Sequence, residues 1–139
     1  MKNNHIWRGL VCGSIVSLMV NFSLVLFLFC ENFDSLLPLP FVAILVSLFM
    51  IFDNWEKFFK AIGFAFCGFI AIEIIIIRTG ILMYFYQMKY SGATEMSLGF
   101  GVVAVIHHFV CFIFFVIGAI IACILTAIKK AKQRSLISK

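Results

Sequence analysis

The chain has 139 residues, of which 64% are hydrophobic and 12% charged, with 18 phenylalanines and a mean hydropathy of +1.15. A soluble domain carries about 45–50% apolar and about 25% charged residues, and a fold this small cannot enclose so large an apolar excess. The composition therefore points to lipid as the solvent and excludes an ordinary soluble enzyme. The net charge of +5 gathers beside the ends of apolar runs, which is the mark of membrane topology and excludes nucleic acid as a partner.

Four transmembrane helices are predicted, in an all-α bundle that forms a single domain. The first, over about 9–30, contains the uncharged run from Leu10 to Cys30, long enough at ~1.5 Å per residue to cross a ~30 Å hydrocarbon core. Its apolar stretch is too long for a signal peptide and no small-residue cleavage pattern follows it, so it is expected to stay in the mature protein. Gly9, Gly13, Ser17 and Asn21 recur every four residues along it, a small and polar stripe of the kind that buries against a neighbouring helix.

The second helix is predicted over about 36–52, with Asp34 and Ser35 as caps and Pro38 and Pro40 in its first turn, where a missing N–H costs least. Residues 53–60, DNWEKFFK, pair Asp53 with Lys57 and Glu56 with Lys60 at a spacing of four and predict a short helical elbow. The third helix is predicted over about 58–86 and carries Glu73 and Arg78 inside IEIIIIRTGI, with an aromatic belt, GILMYFYQMKY, at its far end. The fourth is predicted over about 100–128. It contains His107 and His108, a packing row with Gly118 and Ala122, and then a basic tail, KKAKQR. That tail reads as a topological flank, with anionic lipid as a second use.

The basic residues near helix ends, Lys2, Arg8, Lys57, Lys60 and those from Lys129 onward, lie at one side of a four-span arrangement and Lys89 at the other, which predicts that both termini are cytoplasmic. Depth then follows from counting inward from basic residues. Glu73 is 13 positions from Lys60 and Asn21 is 13 from Arg8, so both fall ~20 Å in. Arg78, 18 positions from Lys60, and the histidine pair, counted from Lys129, fall at ~27 Å and ~32 Å. Arg78, His107 and His108 are accordingly expected at the outer boundary, with Arg78 extending its stem toward headgroups.

Glu73 has no such escape. A carboxylate at that depth is costly unless paired or protonated, and Asn21, with Ser17 and Ser47, is the expected source of hydrogen bonds. His107 and Cys111 are four apart, but two ligands on one helix do not close a metal site. No metal or cofactor is expected, and the five scattered cysteines read as small apolar side chains. No nucleophile–base pair or phosphate loop is present, so no enzymatic activity is expected.

In length and span number the chain resembles the small multidrug exporters, but Asn21 is the only candidate in helix one for the position of their essential acid. It is also similar in size to lipid-linked-sugar flippases, without their asparagine–arginine–tryptophan motif. Its layout is loosely like that of immunity proteins against pore-forming bacteriocins. The leading expectation is a small bacterial inner-membrane protein acting as an accessory, regulatory or immunity-type partner of another membrane protein. The alternative is a small oligomeric transporter or channel with Glu73 as a protonatable site. The lipid bilayer is the expected surrounding in both, with another membrane protein or a second copy as the further partner.

Overall fold

The computed structural model describes residues 4–30, 38–52, 54–90 and 98–137. The regular structure among them is helical, in five segments: α1 (Asn4–Phe29), α2 (Pro40–Phe49), α3 (Trp55–Thr79), α4 (Ile81–Lys89) and α5 (Leu98–Ile137). Three helices, Asn4–Phe29, Trp55–Thr79 and Gly99–Ser135, are long and apolar enough to cross a membrane. Asp34, Ser35 and Asp53, expected in capping and pairing, lie outside the described residues.

Each helix boundary has a local cause. α2 starts at Pro40 and is 10 residues long, about 15 Å, shorter than the predicted 36–52. Proline fits the first helical position because its missing N–H is one that would have no intrahelical partner there. At the other end, the Phe52 amide leaves the helix and donates to Thr126 Oγ1 at 3.3 Å. The expected elbow is the first turn of α3, where Asn54 caps the helix by accepting from the Glu56 amide at 3.1 Å and Glu56 pairs with Lys60.

The predicted single helix over 58–86 is broken. Gly80 has φ of 62°, a left-handed conformation open to glycine at little cost. It ends α3 with its amide on the Ile77 carbonyl and starts α4 with its carbonyl accepting from Tyr84. α5 shows the opposite difference. It does not stop near 128 but carries the basic tail on as helix to Ile137.

The helices pack chiefly as two pairs. In the α1–α3 pair, a Cβ at Gly13 would collide with the Ala65 carbonyl oxygen, one at Gly9 with that of Ala61, and one at Gly68 with that of Leu10. The backbones touch because glycine leaves room for them. In the α2–α5 pair a Cβ at Gly118 would lie 2.6 Å from the Ala43 carbonyl oxygen, and Ala122 beside it is fully buried. Arg8, on α1, ties the pairs together. Its guanidinium donates to the Leu48 carbonyl at 3.3 Å and lies 4.5 Å from the centre of the Phe52 ring, a cation–π distance. The main core joins Cys12, Val16 and Val20 of α1 to Val42 and Val46 of α2 and Phe115 of α5. A smaller cluster of Leu28, Tyr86 and Phe100 fastens α4 to the far end.

Candidate functional site

The polar residues of α1, α3 and α5 meet at Glu73. Ser17 and Asn21 are one turn apart on the buried stripe of α1, and the glycines below them bring α3 close enough for both to reach across. Ser17 Oγ donates to Glu73 Oε1 at 2.7 Å and Asn21 Nδ2 donates to the same oxygen at 2.8 Å. The other hydrogen of Asn21 Nδ2 goes to the Ser17 carbonyl at 2.9 Å. Ser17 is fully buried and Asn21 6% exposed. With both amide hydrogens committed to acceptors, the orientation of Asn21 is set, and its buried Oδ1 has no hydrogen-bond partner among the described residues. Ser47 plays no part here, since its hydroxyl turns back to the Ile44 carbonyl at 2.7 Å.

The second carboxyl oxygen faces α5. Glu73 Oε2 lies 3.4 Å from His108 Nε2, an ion-pair distance. The other ring nitrogen, Nδ1, is 2.8 Å from the Ala104 carbonyl oxygen one turn back. A carbonyl only accepts, so Nδ1 carries a hydrogen and donates. That settles what Nε2 can do. In a neutral ring it holds a lone pair aimed at the carboxyl, so the contact is attractive only when a proton lies between the two groups, on the carboxyl or on the ring. In both placements the pair is neutral overall. A carboxylate facing a neutral imidazole would leave a net negative charge in an apolar setting, which is costly.

His107 makes a separate junction. It is fully buried, and its Nε2 lies 2.7 Å from Ser23 Oγ, which is also 3.0 Å from the Val20 carbonyl. The adjacent histidines of α5 thus reach different partners, His108 on α3 and His107 on α1. Arg78 is exposed on the last turn of α3.

The contact puts Glu73 and His108 in one layer, whereas counts inward from Lys60 and Lys129 predict different ones. Phe52, in the turn before α3, bonds Thr126, so Lys129 lies beyond the start of α3 while Lys60 lies inside that helix. Counts of 13 residues from Lys60 and 21 from Lys129 start from planes that differ by about eight residues, or ~12 Å. The usable signal was chemical: ionisable side chains inside apolar spans pair with one another, and the histidines were the available partners for the acid.

No known protein family matches the chain, nor does any curated protein or solved structure.

Proposed function

We propose that this is a four-span membrane protein with both termini cytoplasmic, working as a small proton-dependent carrier or channel in which Glu73 and His108 hold the proton. The observation that carries the reading is the orientation of His108, whose Nδ1 on the Ala104 carbonyl leaves Nε2 opposite the Glu73 carboxyl. A proton there joins α3 to α5, and its release turns that junction repulsive. The side chains of the pair are 16% and 31% exposed, so the site is enclosed without being sealed. A bacterial inner membrane suits the topology and the loop charges.

The decisive substitution is Glu73→Gln. A glutamine carbonyl still accepts from Ser17 and Asn21, and its NH2 donates to His108 Nε2, so the hydrogen bonds persist while the titratable proton is removed. In proteoliposomes carrying an internal pH dye, the wild type is expected to dissipate an imposed proton gradient faster than empty vesicles, and E73Q to match the empty vesicles. Infrared difference spectra across an acid-to-neutral pH change should show a carboxyl protonation band that E73Q removes. Equal gradient decay in wild type, E73Q and empty vesicles, with no titrating band, would reject the proposal.

A second reading is an accessory partner of another membrane protein, with the Glu73 cluster as a clamp. It is favoured by the tight packing beneath the site. Gly13 lies on the Ala65 backbone and Cys12 and Val16 are fully buried, so α1 and α3 are in direct contact there. In that case E73Q should retain activity.

A further inference from the structure

α3 and α5 diverge along most of their length, and the seam between them holds two cavities. The upper, about 230 Å3, reaches His108; the lower, about 270 Å3, is lined by Phe58, Ile62, Phe66, Phe115, Ala119 and Cys123 among others. Phe66 and Phe115 line both, with ring centroids 5.0 Å apart, and so form the waist between them. The lower cavity is walled by apolar side chains, and Phe66, at 37% exposure, and Ile120, at 55%, stand at its open side.

What lies below it on α5 is basic. Lys130 is seven residues from Cys123 and Arg134 is eleven. At about 100° per residue each falls within ~20° of the Cys123 direction, so both continue the cavity-lining face. Lys130 is half-buried and Arg134 exposed. Among the described residues the carboxylates are Glu56 and Glu73, and these are engaged by Lys60 and by the cluster around His108. From Lys130 up to the Phe115 waist is 15 residues, ~22 Å of helix, which equals half of a bilayer that is ~40–45 Å thick with its headgroups.

From these observations we infer that the lower α3–α5 cavity is a binding site for one anionic glycerophospholipid of the surrounding bilayer. An acyl chain lies in the cavity with its end against Phe66 and Phe115, and the phosphate lies on Lys130 and Arg134. The volume suits part of one acyl chain: 270 Å3 holds about nine groups of water size in file, at ~30 Å3 each. The charges select an anionic headgroup, since basic residues near a membrane surface attract anionic lipid. The inference rests on the membrane-spanning reading and not on the Glu73 proton.

Trp55 packs against Phe58 at the mouth, with ring centroids 5.8 Å apart, and reports on the site. The chain has two tryptophans, so Trp7→Phe, at a position 67% exposed, leaves Trp55 as the single fluorophore. That protein is reconstituted into phosphatidylcholine vesicles containing either phosphatidylglycerol or phosphatidylcholine with brominated acyl chains, and quenching is followed against mole fraction. Half-maximal quenching is expected at a several-fold lower mole fraction of the brominated phosphatidylglycerol. K130Q/R134Q, at positions outside the core, should abolish that preference while leaving ordinary quenching. Ala119→Phe, which fills the cavity, should weaken quenching by both lipids. Identical curves for the two lipids in the Trp7→Phe protein, an undiminished preference in K130Q/R134Q, or a crosslinked second copy seated along α3 and α5 would each overturn the site. Absence of quenching by either lipid would instead count against the membrane-spanning reading.

Discussion

α3 has two neighbours and meets them in opposite ways. Toward α1 it presents Ala61, Ala65 and Gly68, all buried against backbone; toward α5 it presents Phe58, Ile62, Phe66 and Ile70, which line open space. Small side chains let helices touch, and within lipid there is little other force to press them together. One seam is therefore closely packed and the other loosely packed. Glu73 belongs to both, fastened to α1 through Ser17 and Asn21 and reaching across the loose seam to His108. On the proposed function, a group fixed on one side and held by a proton on the other would convert protonation into movement of α5.

The comparison is broken most severely at Gly13. Gly13→Leu drives a side chain into the Ala65 carbonyl, a backbone atom that no rotamer change can move. Overpacking a tight core costs about 1–3 kcal/mol and sometimes more, and here separation of the helices would also pull Ser17 and Asn21 off Glu73. The expected result is loss of the monodisperse protein on size exclusion in mild detergent and a large fall in melting temperature.

Next in size is Glu73→Leu. It leaves the Ser17 hydroxyl and one Asn21 N–H without their acceptor in a buried layer, at about 1–3 kcal/mol for each unsatisfied group. E73Q, which refills both, should melt within about 1 kcal/mol of the wild type. If E73L and E73Q proved equally stable, the carboxyl would not be organising these three helices, and the link between the seams would fail with it.

The two seams were unequally legible in the sequence. The Gly9, Gly13, Ser17, Asn21 row announces close contact because a four-residue repeat of small side chains has one efficient use in a helix pair, and it carries a polar layer that an acid at matching depth can meet. The His108 contact was hidden because depth was measured from lysines whose own levels depend on tertiary structure. The break at Gly80 was also hidden, since a lone glycine in an apolar run is compatible with a continuous helix. The open α3–α5 seam left no signal at all: phenylalanines at helical spacing read as ordinary core, and only the positions of the other helices decide whether they close on one another. Composition, in contrast, was enough for helical class and for helices of membrane-crossing length, because both follow from the amount of apolar surface.

The smallest effect is expected where intuition from soluble cores predicts a large one. Phe→Ala in a packed interior costs about 3–5 kcal/mol, much of it for the cavity left behind. Phe66 is 37% exposed and already borders the two cavities, so Phe66→Ala mainly joins existing spaces, which surrounding lipid chains can enter. The loss should stay below about 1.5 kcal/mol, measured as a shift in thermal denaturation in the same detergent. Ala65→Phe, one residue away on the other face, adds the same ring to the tight seam and should do far more damage than removing it does at Phe66. A reversed order would mean that α3 and α5 close on each other in the membrane. The open seam, and with it the movement that the proposed protonation of Glu73 and His108 would drive, would then be lost together.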